Sequence, residues 1–76
     1  MTATVTVMFR DGKFRIKVVD ESTGKSPTSL VDFYNEPYRA DDALRELGLD
    51  ADKRAYLMMP SIAGQQSITG LQLPDA

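Results

Sequence analysis

Neither cysteine nor histidine occurs anywhere in the 76-residue chain. Without cysteine there is no disulfide, no thiolate zinc site, no iron–sulfur cluster and no thiol nucleophile. Without histidine the Ser-His-Asp triad is excluded, together with the commonest general base near neutral pH. Long apolar runs are also missing, since none approaches the roughly 20 residues of a membrane-spanning helix. The opening MTATVTVMFRDGK has no basic leader ahead of an apolar stretch. These absences lead to the expectation of a cytoplasmic protein that is not an enzyme, holds no cofactor or metal and does not enter a membrane.

What is present is ordinary for a folded protein: 42% hydrophobic and 26% charged residues. A chain of this length buries only about 60% of the surface it exposes when unfolded, which favours a single small domain over residues 1–76 and disfavours a large enclosed substrate pocket. The net charge is −2 with a pI near 4.8, unlike the basic body of a nonspecific nucleic-acid binder.

The strongest local signal is TATVTVMFRDGKFRIKVVD, two alternating runs joined by Asp11-Gly12. That dipeptide suits a type I′ turn, in which both central residues take positive φ, so residues 1–21 read as a β-hairpin. With Asp11 and Gly12 in the turn, Arg10 faces Lys13, Phe9 faces Phe14, Val7 faces Ile16 and Val5 faces Val18. This register gathers Val5, Val7, Phe9, Phe14, Ile16 and Val18 on one face, whereas a slip of one residue would scatter them. The opposite face then carries Thr4, Thr6, Met8, Arg10, Lys13, Arg15 and Lys17.

Residues 21–29, ESTGKSPTS, form a loop by composition. Gly24-Lys25-Ser26 matches the end of a P-loop, but Val19 stands where that motif needs its first glycine, and Pro27 and Thr28 follow where a helix must begin. Leu30, Val31, Phe33 and Tyr34 suit a third strand, with a short helical turn as the alternative. Asn35 is a candidate cap, and Pro37 is tolerated in a first helical turn. Ala40, Ala43, Leu44 and Leu47 then lie at i, i+3, i+4, i+7, which predicts a helix over 36–48. Gly48 ends it, with Leu49 folding back onto Leu44 in a Schellman arrangement. Ala55 to Met59 reads as a short buried strand stopped by Pro60. ITGLQL reads as a weaker final strand, because Gly70 lowers strand preference or marks a bulge, with residues 73–76 a loose end. The expected fold is two-layer α+β: a mainly antiparallel sheet of three to five strands in the order β-β-(β)-α-β-(β), with one helix on the apolar hairpin face. The methionine pair Met58-Met59 is expected to fill the core, and Met8 lies on the outer face, where an interface is an alternative.

YRADDALRELGLDADKR holds five carboxylates among four basic residues. Asp41 and Asp42 fall early in the helix, where they complement its dipole, and Asp41 is spaced to meet Arg45. Asp50-Ala51-Asp52 resembles the opening of a calcium loop, but Arg54 falls on an oxygen-ligand position, Ala55 on the glycine position, and Pro60-Ser61 where a bidentate glutamate belongs. An acid–base pair would need carboxylates opposed across a cleft, which neighbours on one helix do not supply.

Charge distribution is what remains. From Asp32 to Asp52 there are seven acidic residues against Arg39 and Arg45; from Arg10 to Lys25 there are five basic residues against Asp11, Asp20 and Glu21. Two candidate contact faces follow: an acidic one of Asp41, Asp42, Glu46, Asp50 and Asp52, and a basic one of Arg10, Lys13, Arg15 and Lys17. The expected function is a small protein-interaction module, acting as a regulator, inhibitor or accessory subunit with a protein partner. Edge strands leave a homodimer open. Nucleic-acid binding through the basic face is a less favoured alternative, because that strand face offers no aromatic ring for base stacking. From the hairpin through Leu49, this short acidic chain with a hairpin, a further strand and one helix also resembles some phage-encoded inhibitors of bacterial defence systems, including certain anti-CRISPR proteins. That resemblance implies an acidic face, Asp41, Asp42, Glu46, Asp50 and Asp52, occupying a site meant for nucleic acid or occluding a protein surface.

Overall fold

A computed structural model describes residues 1–26, 31–34, 36–59 and 64–74. Alternation of apolar with mainly polar or charged residues over Thr2–Arg10 and Lys13–Asp20, many of them β-branched, builds strands β1 and β2. Asp11 (φ 55°) and Gly12 (φ 75°) supply the two positive dihedrals of the turn between them. The pairing is as the sequence predicts: Arg10 with Lys13, Phe9 with Phe14, Val7 with Ile16 and Val5 with Val18. β3 (Val31–Tyr34) adds antiparallel to β2, and β4 (Gln65–Gln72) adds antiparallel to β1. The sheet order is β3-β2-β1-β4, so β3 and β4 are its edges.

Between β1 and β4 the register shifts: Ala3 pairs with Leu71 but Val5 with Ile68, so Thr4 stands opposite both Thr69 and Gly70. Gly70 takes a φ of +68°, the glycine-favoured value of a bulge. The Glu21 carboxylate fixes this point from the outer face, accepting from the Gly70 amide at 2.6 Å and from the Thr4 hydroxyl at 2.9 Å.

Two helices cover the other face. α1 (Pro37–Glu46) buries Ala40 and Leu44 along the predicted stripe. It ends in a Schellman motif, in which the Leu49 amide donates to the Leu44 carbonyl and the Gly48 amide to that of Arg45. Gly48 has φ +95° there. α2 (Ala51–Leu57) follows directly, and here the structure corrects the expected strand over Ala55–Met59 and the single-helix order. A run of five apolar residues does not distinguish strand from helix. Asp50 decides the matter by capping α2, its carboxylate accepting from the Lys53 amide at 2.9 Å, and Ala, Lys, Arg and Leu all favour helix. Only Leu57 of α2 is fully buried; Met58 is partly buried against the core, and Met59 is exposed. The second helix also departs from the single-helix order that carries the resemblance to phage inhibitors.

Further differences are small. Glu36 occupies the N-cap position of α1, without a side-chain hydrogen bond. Leu73 is not loose: it is buried, and its amide donates to the Met1 carbonyl while its carbonyl accepts from the chain's amino group. Leu30, Asn35, Pro60 and residues 75–76 lie outside the described residues. The core joins Ala3, Val5 and Val7 of β1 with Ile16 and Val18 of β2, Leu71 and Leu73, and the helix-layer residues Ala40, Leu44, Leu49 and Leu57. α1 packs over β2 and β3, and α2 over β4.

Leu44 is 0% exposed at the centre of this layer. Leu44→Ala is expected to cost about 3 kcal/mol in urea unfolding. Gly48→Ala is expected to cost about 1 kcal/mol from its positive φ alone, because an added Cβ would meet Pro74 only at an ordinary 3.5 Å. A Gly48→Ala chain as stable as the parent would contradict the Schellman geometry.

Candidate functional site

The fold divides the five predicted acidic residues into two groups. Asp41, on α1, accepts from Arg54 Nε of α2 at 3.1 Å and lies 4.0 Å from Arg45. Arg54 is only 15% exposed along its side chain, and its Nη1 also donates to the Leu49 carbonyl at 2.7 Å. One guanidinium thus ties α1, the α1–α2 turn and α2 together, and Asp41 serves that junction. Asp50 is the cap of α2 and also receives Lys53 Nζ at 2.8 Å. Asp42, Glu46 and Asp52 remain as exposed helix carboxylates. Among the described residues no three acidic side chains converge as a metal site would require, and no helix is long and apolar enough to cross a membrane.

The basic residues are brought together by the hairpin ladder. Arg10 pairs with Lys13 and Met8 with Arg15, while Lys17 sits one outward position further along, opposite Thr6. Towards β4 the cations of this outer face give way to neutral pairs and one carboxylate: the Thr6 hydroxyl meets that of Ser67 at 2.8 Å, Gln72 Nε2 donates to Thr2 Oγ1 at 2.9 Å, and Glu21 accepts from the Gly70 amide. Positive charge is therefore concentrated at the turn end of the sheet. There a cleft of about 190 Å³ is walled by Met8, Arg10, Lys13 and Arg15, with Phe9, Asp11, Gly64 and Gln65.

Sequence reasoning placed Phe9 and Phe14 on the inner face, where they are, but did not foresee that the helix layer leaves Phe9 uncovered. Phe9 is 53% exposed and stacks tilted on Phe14, ring centres 4.8 Å apart. Met59, just past α2, is 54% exposed. Between them opens a second cleft of about 220 Å³, lined by Val7, Phe9, Phe14, Leu57, Met58 and Met59 and floored at one side by Gly64, Gln65 and Gln66. The Phe9 amide donates to the Gly64 carbonyl at 2.7 Å, which fixes the shared rim of the two clefts. The only sequence signal for this site was the placement of an aromatic residue at each side of the turn, at the end of the sheet most remote from the Met1–Leu73 pairing.

No protein-family model, curated protein or solved structure matches the chain.

The assignment of Asp50 to the cap has a pH signature. Hydrogen bonds from the Lys53 side chain and then the Lys53 amide hold the Asp50 carboxyl below the ordinary aspartate value. Asp20 is lowered in the same direction, by the Ser22 hydroxyl and amide. A folded-state pKa below the unfolded one contributes stability that is present above about pH 4 and lost as pH falls through the folded value. Asp50→Asn keeps a competent cap but removes the titration. Its unfolding midpoint is expected to depend less on pH below about pH 4 than the parent's; an identical acid limb would show that Asp50 does not titrate into the cap.

Proposed function

We propose that this chain is a non-catalytic protein-interaction module, working as a regulator, inhibitor or accessory subunit of a larger assembly, and that the turn end of its sheet is the contact surface. The observation that carries this reading is the exposure of Phe9 and Met59 beside the cationic side chains of the hairpin. A small domain gains roughly 1.5–3 kcal/mol by covering a large apolar side chain, and this one leaves two of them open at one end. Aromatic, methionine and arginine residues are the types enriched at protein interfaces. Both clefts are smaller than the roughly 300–1,000 Å³ typical of small-molecule sites, so they suit single side chains of a larger partner better than a whole metabolite. The acidic surface supports the reading less strongly, since Asp41 and Asp50 act within the fold and leave Asp42, Glu46 and Asp52 to face outward.

Affinity capture from a lysate of the cells that encode the chain tests this. The parent is expected to retain a partner; Phe9→Ser with Arg10→Glu is expected to reduce its recovery by about tenfold, and Asp42→Lys with Glu46→Lys to leave it nearly unchanged. Recovery that survives the hairpin variant but falls with the helix variant would move the contact surface to α1. No partner above an unrelated-bait control would contradict the module itself.

A further inference from the structure

We propose that β4 pairs edge to edge with β4 of a second copy of this chain, antiparallel and about a two-fold axis at Ile68, so that two molecules share one continuous sheet. β4 ends the sheet, and among the described residues only β1 pairs with it. The direction of its free main-chain groups follows from the ladder. The Phe9 amide donates to the Gly64 carbonyl at 2.7 Å, and hydrogen-bonded pairs recur at every second position, so Val7 with Gln66 and Val5 with Ile68 are the next ones. Gln66 and Ile68 therefore direct their main-chain groups at β1. Ser67 between them, and the Thr69 amide beyond, face away from the sheet.

The composition of this edge fits a copy of itself. Edge strands are usually kept single by lysine, proline or a bulge, yet QQSITGLQ has no charged residue and no proline. Its bulge lies opposite Thr4, past Ile68, where Glu21 already takes the Gly70 amide. Pairing is thereby confined to the residues around Ile68. A two-fold axis sets each residue near its own counterpart, so any charge there would repel itself, and this strand carries none. With the axis at Ile68, the Thr69 amide of each copy meets the Ser67 carbonyl of the other. On the inner face Ile68, only partly buried against the core, meets Ile68 of the second copy and joins the two cores. Rotation about an axis normal to the sheet keeps both helix layers on one side. It also sends the two hairpin tips to opposite ends, so self-pairing and the partner surface proposed above do not compete.

Sedimentation equilibrium of the intact chain up to about 1 mM, with amide hydrogen exchange at low and high concentration, tests the pairing. The expected result is a monomer–dimer equilibrium with Kd of about 100 µM, as a contact of few residues gives. Exchange at Ser67 and Thr69 is expected to slow as the dimer fills, while exchange elsewhere changes little. Ser67→Lys sets two ammonium groups beside the axis, and Thr69→Pro removes the outward amide. Each is expected to weaken the dimer about tenfold or more. Phe9→Ser, at the hairpin tip, is expected to leave it unchanged. Melting curves report whether the variants remain folded; either edge variant suffices alone, and exchange in the parent decides if neither folds. A monomer mass at about 1 mM, a mass that grows beyond the dimer, or a dimer that both edge variants leave intact overturns the proposal. So does unchanged exchange at Ser67 and Thr69. A dimer lost with Phe9→Ser alone overturns it in favour of pairing through the tip.

Discussion

The register of β1 against β2 is the constraint on which the rest of the structure depends. β1 is a central strand, paired on one side with β2 and on the other with β4, and its inward residues Ala3, Val5 and Val7 are buried under the helices. The side-chain period of a strand is two, so a shift by one residue would turn Thr4, Thr6 and Met8 into the core and Val5 and Val7 into water. The Asp11-Gly12 turn, with both residues at positive φ, removes that freedom. Once the face is set, Leu44 and Leu57 have a surface to cover, and the same register aligns Arg10, Lys13 and Arg15 on the reverse.

The helix layer is held by local devices and by one longer link. The Schellman turn at Gly48 reverses the chain immediately after α1, and the Asp50 cap starts α2 two residues later. Arg54 then joins Asp41 to the Leu49 carbonyl, so a charged group shielded from most solvent meets two acceptors instead of one. Such a compact layer is short, and it covers the middle of the sheet before it reaches the hairpin tip. The apolar cleft is the consequence: Phe9 and Phe14 belong to the inner face by register, and while Phe14 is partly buried against the core, Phe9 is left 53% exposed.

Much of this was legible in the residues. The hairpin pairs, the Ala40-Ala43-Leu44-Leu47 stripe and the Gly48 ending each rest on a short-range rule that sequence displays directly, whereas Gly70 allowed a bulge without requiring one. α2 was not legible, because five consecutive apolar residues suit either element and only the capping role of Asp50 separates them. Nor was the fate of the acidic stretch. That Asp41 is engaged by a residue thirteen positions away depends on how the turn at Gly48 brings α2 alongside α1. Spacing revealed the neighbouring Arg45 but not the closer Arg54. The candidate site was half visible: its cations follow from alternation, whereas its apolar compartment depends on where the helix layer stops.

Site-specific photo-cross-linking in the cells that encode the chain tests the central claim most directly. Benzoylphenylalanine is placed at Phe9 in one chain and at Glu46 in another, both exposed positions. The account predicts a discrete partner adduct from Phe9→benzoylphenylalanine and none from Glu46→benzoylphenylalanine. An adduct from position 46 alone would place the working surface on α1 and contradict the assignment of the hairpin tip.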